Sequence, residues 1–589
     1  MTKQKTLLGK ILVWRLKHIS DRNFILICAI AIGILAALAA MLLKWFVRQI
    51  NDLLTLSFDI KFENYLYLAY PLVGIFITAI VAKYLIKKRV NFGITRTLHS
   101  ISKKGSDINP KSSYAYLITS AITVGFGGSV GLESPIVSTG SALGSNLGKL
   151  LHLPYKTKTL FIGCGAAAAI AAIFNAPVAG VIFALEILML DLTMASIIPL
   201  LISSVTGAIL SRIMLGEHIL LHADLTDKFI PQQFPYFIML GLIAGAVSVY
   251  FTKIVQVVEQ AFINRKAYLS NTLIGGILLG FIVFLFPPLF GDGYQAIQAI
   301  LNGESSQLLN NSLFFNAQET VWGLVGFVAL TLLFKAFATS ITIGAGGVGG
   351  VFAPALFMGG ITGFLFARIW NIFGWTSLSE KNFTLVGMAG VIGGVQHAPL
   401  TAIFLVSELS NGYDLFIPLM ITASTAYLCA KFLYPQTIYS RRLNAVITHN
   451  KDASIITLMN FRKLIEKDFA TVHVDGTLRD VVEAVSRSSR NIYPIIDKDN
   501  KFKGVINLDD IRETMFNPDQ YDKVTVAELK HPHKGIIDMT DDKEDVMQLF
   551  RDTGAWNLPV TEEGKYVGFI SRSKLFSEYR RLIAKNSEH

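Results

Sequence analysis

The sequence predicts an all-α membrane protein that crosses the bilayer several times and ends in a soluble α/β domain. Hydrophobic residues make up 52% of the 589 residues and charged residues only 16%, which argues against a soluble protein of this length. Residues 24–43 form an uncharged run of 20 residues, enough to cross a bilayer as one helix. Other apolar runs are shorter and are cut by Gly or Pro, which is typical of tilted and broken helices buried by their neighbours.

One carboxylate, Glu133, lies inside the apolar region, in the glycine-rich segment TVGFGGSVGLESP at residues 123–135. A charge at membrane depth costs roughly 3 kcal/mol, so such residues are normally kept for ion or proton handling. Glycines let backbone N–H groups approach a small ligand closely, and Pro135 suits the first turn of a helix. Because helix N-termini favour anions, the pattern predicts that Glu133 itself is the built-in anion of this segment.

The same segment recurs 219 positions later as TIGAGGVGGVFAP, where Phe352 occupies the place of Glu133. A further pair of blocks in the same order shows that the membrane region is a tandem duplication. We place the two repeats at about 65–215 and 232–432. Duplicated halves with interrupted helices that meet near the midplane are typical of membrane transport proteins.

The further pair of blocks is shifted by 222 positions. NAPVAGVIFALE ends in Glu186, and HAPLTAIFLVSE ends in Glu408. Because both copies keep a glutamate here, we expect Glu186 and Glu408 to be architectural residues that bind nearby backbone donors.

These residues resemble a known family. GLESP and GGVFAP are similar to the GxExP and GxFxP elements of the CLC chloride channels and chloride/proton exchangers. The likeness continues through SELSNGYD, TIYSRRL and a C-terminal pair of CBS-like motifs, so it spans nearly the whole chain. It implies an inverted-repeat CLC-type fold of the bacterial type with C-terminal CBS domains. It also implies a homodimer in the lipid bilayer, no enzymatic activity, and chloride or another small anion as the bound substrate.

The resemblance also implies where the anion passes. The pathway is lined by the two glycine-rich loops and the residues that follow the second one: Gly131, Gly350, Val351 and Phe352. The Tyr439 hydroxyl would donate to a central anion from the cytoplasmic side, although an interfacial aromatic anchor is the alternative. The family's anion-coordinating serine falls on Phe92, so that contact is lost, while Gly93 remains a point of close backbone approach.

The position after Glu186 bears on transport mode. In exchangers of this family an internal proton-transfer glutamate stands there, and here the position holds Ile187, which cannot carry a proton. The resemblance therefore implies a chloride channel with passive conduction, gated by protonation of Glu133. The alternatives are a chloride/proton antiporter that lacks the internal glutamate, and a membrane-embedded nucleotide sensor. The sequence contains no phosphate-binding loop and no HExxH metal site.

The net charge of +11 is explained by cytoplasmic flanks, which collect Lys and Arg, and we expect no nucleic-acid partner. Residues 1–22 are basic, which places the N-terminus in the cytoplasm. Their alternating apolar and basic positions favour an amphipathic helix, with a plain basic flank as the alternative. Arg441 and Arg442 mark the same face after the last span. We expect an integral protein of a bacterial inner membrane, and the three cysteines support no disulfide framework or zinc site.

The composition becomes that of a soluble domain from about residue 445. We divide the chain into a membrane domain (23–444), a linker (445–464) and a tandem CBS domain (465–589, with motifs at about 465–520 and 524–582). Each motif combines a hydrophobic strand containing Pro, an acidic turn and a strand led by Gly. In nucleotide-binding CBS domains an Asp near the end of the second strand holds the ribose, and Asp510 occupies that place. One adenine nucleotide could bind there and regulate transport; a structural or dimerising module is the alternative.

Overall fold

A computed structural model describes residues 15, 17–55, 64–86, 93–188, 194–216, 230–265, 268–410, 413–438, 459, 461–541 and 543–587. Most of the predicted N-terminal helix at 1–22 and most of the predicted linker at 445–464 lie outside these residues. The chain divides near residue 447 into two compact units, which are described separately below.

The first unit is built from α-helices. The helices that precede the second repeat are α1 Asp21–Thr55, α2 Leu66–Ile80, α3 Gly93–Lys103, α4 Ser112–Gly125, α5 Glu133–Leu150, α6 Tyr155–Phe174, α7 Pro177–Glu186 and α8 Met194–Leu215. Those that follow are α9 Phe234–Asn264, α10 Tyr268–Leu285, α11 Tyr294–Leu301, α12 Val321–Gly344, α13 Phe352–Ile372, α14 Glu380–Gln396, α15 Pro399–Leu409 and α16 Phe416–Leu433. Within the described residues, eight helices are long and apolar enough to cross a membrane. The predicted all-α membrane architecture is confirmed.

The duplication is visible in how the helices pack. A Cβ atom added to Gly140 of α5 would lie 2.2 Å from the carbonyl oxygen of Gly165 in α6. In the second repeat, a Cβ atom on Gly359 of α13 would lie 2.4 Å from the carbonyl oxygen of Gly387 in α14. These pairs correspond under the sequence shifts of 219 and 222. Small residues permit such close backbone approach in lipid, where association depends on packing, so each repeat keeps the same helix crossing.

The second unit contains two small sheets of equivalent topology. Its strands are β1 Val472–His473, β2 Ile492–Ile496, β3 Phe502–Asn507, β4 Ile537–Asp538, β5 Asn557–Glu562 and β6 Lys565–Ser571. Its α-helices are α17 Leu478–Arg487, α18 Leu508–Ile511, α19 Val526–Leu529, α20 Lys543–Thr553 and α21 Arg572–Ser587. The sheet orders are β1-β2-β3 and β4-β5-β6, each with one parallel and one antiparallel pair. This confirms the predicted α/β fold of the C-terminal part.

Gly504 in β3 and Gly568 in β6 allow close approach of backbone segments within this unit. A Cβ atom on Gly504 would lie 2.7 Å from the carbonyl oxygen of His531, and one on Gly568 would lie 2.5 Å from that of Glu466. Their neighbours form isolated antiparallel bridges, Val505 with His531 and Phe569 with Glu466. Each β-hairpin is therefore paired with an extra stretch of backbone, at a place where a larger side chain would collide.

Candidate functional site

The two glycine-rich loops of the membrane unit pair with each other. The Gly131 N–H donates to the Gly350 carbonyl at 2.9 Å, and the Gly350 N–H donates to the Gly131 carbonyl at 2.7 Å. The two glycines occupy equivalent places in the two repeats, and the bridge is antiparallel. The loops therefore meet at the centre of the duplicated structure, where α5 and α13 both begin.

Two threonines fix the same loops from opposite sides. Thr123 Oγ1 accepts a hydrogen bond from the Val348 N–H at 3.0 Å. Thr342 Oγ1 accepts one from the Ser129 N–H at 3.2 Å. Each threonine thus binds the loop of the other repeat, and the exchange is symmetric under the shift of 219 positions. All four residues are buried, so these bonds satisfy donors that have no access to water.

Glu133 is the first residue of α5 and is only 1% exposed. Its Oε1 atom accepts a hydrogen bond from the Tyr294 hydroxyl at 2.5 Å. Its Oε2 atom has no hydrogen-bond partner within the described chain. A Cβ atom on Gly131 would lie 2.0 Å from Oε2 and 3.1 Å from the Ala353 nitrogen. The carboxylate is therefore folded back over the loop, toward the first turn of α13.

Val351 and Phe352 form the start of α13 opposite this carboxylate. Both are buried, and Val351 is the cap residue of the helix. The first N–H groups of a helix have no partner within it and carry partial positive charge, which favours an anion. The Phe352 ring packs 5.7 Å from Phe174 and forms an apolar wall beside the site. The arrangement can hold one small anion or one carboxylate at the helix N-termini.

Gly93 begins the described part of α3 and lies against α5. A Cβ atom there would come within 1.8 Å of Ser138 Oγ and 2.9 Å of the Ser134 carbonyl oxygen, so this helix start approaches α5 as closely as backbone can. Phe92 and Tyr439 lie outside the described residues. Their parts in the anion pathway stay predictions.

Lys335 is a functional candidate that the sequence analysis missed. This residue of α12 is fully buried, and its Nζ atom donates to Ser129 Oγ at 2.9 Å and to the Gly291 carbonyl at 3.4 Å. It therefore joins the first glycine-rich loop to the turn that precedes Tyr294. A signal was present, because a lone lysine within an apolar run is as conspicuous as Glu133. Tyr294 carried no comparable signal.

Glu186 and Glu408 bind backbone donors, as the duplication predicts. Glu186 Oε2 accepts from the Thr401 N–H at 2.7 Å, and Glu408 Oε2 accepts from the Ala179 N–H at 2.8 Å. Each carboxylate also accepts a second N–H from the preceding residue, at 3.2 Å for Glu186 and 2.9 Å for Glu408. Each glutamate thus caps the N-terminus of α15 or α7 in the other repeat. Both carboxylates are committed to this architecture.

Ile187 follows α7 and is buried, with 5% exposure. Its N–H donates to the Phe183 carbonyl at 3.0 Å and closes the last turn of the helix. The side chain has no group that can bind a proton, so this position holds no proton-transfer residue.

In the C-terminal unit, Asp510 caps its own short helix. Its Oδ2 atom accepts from the Asn507 N–H at 2.8 Å and from Asn507 Nδ2 at 3.0 Å, and it lies 3.5 Å from His531 Nε2. A nucleotide ribose would have to compete with these contacts. Within the described residues, no group of three or more His, Cys, Asp or Glu side chains could hold a metal ion.

Curated relatives cover most of the membrane unit. A protein named putative chloride channel protein ClcB-like, from Ralstonia nicotianae, is 28% identical over 382 residues, which cover 63% of this chain and 84% of the relative. The H(+)/Cl(-) exchange transporter ClcA of Vibrio cholerae serotype O1 is 29% identical over 340 residues, covering 56% of this chain and 68% of the relative. Similar matches are found to ClcA proteins of other Vibrio species.

A solved structure shows the same fold. The crystal structure of a slow cyanobacterial Cl-/H+ antiporter matches with a TM-score of 0.59 at 23% sequence identity, covering 72% of this chain and 98% of that chain. This likeness extends the agreement from sequence to the path of the backbone.

The expectation of passive conduction is wrong, because the sequence relatives include proteins named H(+)/Cl(-) exchange transporters. That expectation rested on Ile187, which occupies the place of an internal proton-transfer glutamate. One missing carboxylate is weak evidence about coupling, because protons can also cross a short buried distance along water. The residue at position 187 therefore does not decide the transport mode.

Two family models account for most of the chain. The model described as "Voltage gated chloride channel" matches residues 73–431, and the model described as "CBS domain" matches residues 461–517 and 528–581. The first match covers more than half of the chain and contains both glycine-rich loops. The chain therefore belongs to the CLC family of voltage-gated chloride channels and chloride/proton exchangers, with a C-terminal pair of CBS domains.

Proposed function

We propose that this protein exchanges chloride for protons across the membrane. Glu133 alternately carries a proton and occupies the anion seat, which is the space beside Gly131, Val351 and Phe352 where α5 and α13 begin. The observation that carries this proposal is the position of the carboxylate, which is buried at the paired loops where α5 and α13 begin. The N–H groups of the nearby helix N-termini are the donors that a permeating anion would need, and the Oε2 atom of Glu133 makes no hydrogen bond within the described residues that would have to be broken when the carboxylate leaves. The resemblance to the Vibrio exchange transporters supports the same reaction.

The site couples the two ions because it has room for one negative charge. A charged Glu133 and an anion at the same helix N-termini would repel each other. Protonation removes the charge of the carboxylate and weakens its hold on the seat, so an anion enters. When the anion leaves, the carboxylate returns and releases its proton. Exchange follows if proton release and anion exit use opposite sides of the membrane.

The remaining pathway is part of the same proposal. Backbone N–H groups near Val351 and Phe352, beside the paired Gly131 and Gly350, would line the seat, and the Tyr439 hydroxyl would approach the anion from the cytoplasmic side. Because Ile187 cannot carry a proton, water must complete the inner leg of the proton route. We further propose a homodimer in a bacterial inner membrane with its N-terminus and CBS pair in the cytoplasm. Adenine nucleotide at Asp510 would regulate transport.

The test uses the full-length protein in liposomes that contain a pH indicator. A chloride gradient is imposed at equal internal and external pH, with an ionophore to clamp the voltage. We expect the gradient to drive protons in the opposite direction to chloride, until a proton gradient builds up. Chloride flux without proton movement would reject the exchange reaction.

A further inference from the structure

We propose that Tyr294 is a latch that holds Glu133 in the anion seat and sets how readily the carboxylate leaves it. This inference rests on the role of Glu133 in the proposed function. The Tyr294 hydroxyl donates to Glu133 Oε1 at 2.5 Å, although 161 positions separate the residues. Both residues are buried, so the bond has no competition from bulk water.

The Tyr294 ring is held by packing against an aromatic neighbour. Tyr294 is the first residue of α11, and its ring lies 6.3 Å from Phe174 in an edge-to-face arrangement. Phe174 in turn packs on Phe352 at the start of α13. A buried tyrosine hydroxyl normally needs a polar partner, and Glu133 supplies it within the described chain.

The turn before α11 fixes the position of the Tyr294 ring. Gly291 and Gly293 have φ values of +67° and +89°, in the left-handed region that favours glycine. A Cβ atom on Gly293 would also lie 2.6 Å from the Phe357 ring. Asp292 Oδ1 accepts the Tyr294 N–H at 3.2 Å and caps the new helix. The hydroxyl is therefore placed by a turn that few other residues could form.

Lys335 connects this turn to the loop that carries the gate. Its ammonium donates both to the Gly291 carbonyl and to Ser129 Oγ, four residues before Glu133. The donor and acceptor of the latch are thus held in register by one buried group. Within the described residues, Asp292, Lys335 and Lys44 are the charged groups that interact electrostatically with Glu133.

The strength of the hydrogen bond between Tyr294 and Glu133 depends on the charge of the carboxyl group. A hydroxyl that donates to a charged carboxylate makes a stronger bond than one that donates to a neutral carboxyl group. The Tyr294 bond therefore favours the charged, seated form of Glu133 and opposes the entry of an anion. When Glu133 takes up a proton the bond weakens, and when the side chain swings away the bond is lost.

The test is Tyr294→Phe, which removes one oxygen atom and keeps the ring that packs on Phe174. We expect chloride turnover in liposomes to rise roughly tenfold, as expected for loss of a hydrogen bond to a charged group. The external pH at half-maximal flux should move in the alkaline direction, because a carboxylate without its donor is more easily protonated. Tyr236→Phe is the matched control, since that hydroxyl bonds to Thr376 at 3.0 Å, away from the seat.

A second measurement separates a latch from a packing effect. In a Glu133→Ala background there is no carboxylate to hold, so adding Tyr294→Phe should leave chloride flux unchanged. A change of similar size in that background would overturn the latch, as would unaltered turnover and pH midpoint in the single variant. If the wild type moves no protons, the exchange proposal fails, yet the latch is still decided by chloride flux and its pH midpoint.

Discussion

The two repeats of the membrane unit share their backbone contacts and differ in the chemistry they present. Both keep the glycine pair that lets neighbouring helices touch, and both send a threonine into the other repeat's loop. At the first residue of the following helix, however, one repeat has Glu133 and the other has Phe352. The repeats thus share the contacts that hold the scaffold together and differ in the side chains at the proposed anion seat.

The asymmetry has an electrostatic reason. In the proposed mechanism, the helix N-termini that follow both loops provide the positive side of a single anion seat. A second carboxylate at Phe352 would place two like charges in one small buried site, where both cannot be ionised at once. One acid and one aromatic wall are therefore what the proposed seat needs to hold either the tethered carboxylate or a free anion.

Glu133→Gln has the largest expected effect, because it removes the difference in charge between the repeats and leaves a neutral side chain in both. Gln cannot take up a proton, so we expect chloride-driven proton movement to fall to the background leak, while chloride flux persists and becomes independent of external pH. Liposome flux assays across a range of external pH, with wild type at matched protein density, provide the measurement. Proton movement that survives the substitution would assign the gate to another residue.

Glu186→Ala and Glu408→Ala test the helix caps, which both repeats share. Each variant removes a cap from a helix of the other repeat, and we expect each to lower the free energy of unfolding by about 1–2 kcal/mol. Glu186 should cost more, because it also accepts the Thr401 hydroxyl at 2.7 Å. Thermal unfolding in detergent measures both.

A matched control for the caps is Glu380→Ala. Glu380 forms an ion pair with Arg368 at 3.0 Å, in a partly exposed position where such pairs contribute about 0–1 kcal/mol. Equal melting temperatures for the control and the two cap variants would show that the cross-repeat caps do not stabilise the unit.

Gln396→Leu tests a further difference between the repeats, and it is expected to raise stability rather than lower it. Gln396 ends α14 at the position equivalent to Phe174, and it is 4% exposed. Neither its Oε1 nor its Nε2 atom has a hydrogen-bond partner in the described chain. Because burying an unpaired polar group costs about 1–3 kcal/mol, we expect Leu to raise the melting temperature by a few degrees.

The exposed Gln307 provides the control for this last substitution, as Gln307→Leu should leave the melting temperature nearly unchanged. A lower melting temperature for Gln396→Leu, or a loss of chloride flux, would show that water or an ion normally pairs with the amide.

Much of the fold was predictable because its signals are local. The uncharged run at 24–43 lies within α1, and the repeated blocks identified two equivalent halves before any contact was known. Glu133 was found because a lone acid in an apolar region is costly. The same reasoning, applied to Lys335, would have found the ammonium that joins its loop to the turn before α11. The transport mode was not predictable from Ile187, because coupling is a property of the whole pathway.

The membrane class, the duplication, the CBS pair and the central acid could be predicted from composition, from repeated blocks and from short motifs, all of which are visible along the chain. The partners could not: Tyr294 contacts Glu133, and Glu186 and Glu408 bind the helix starts of the opposite repeat. These contacts join residues more than 150 positions apart. They depend on how the two halves pack against each other, which no local pattern encodes.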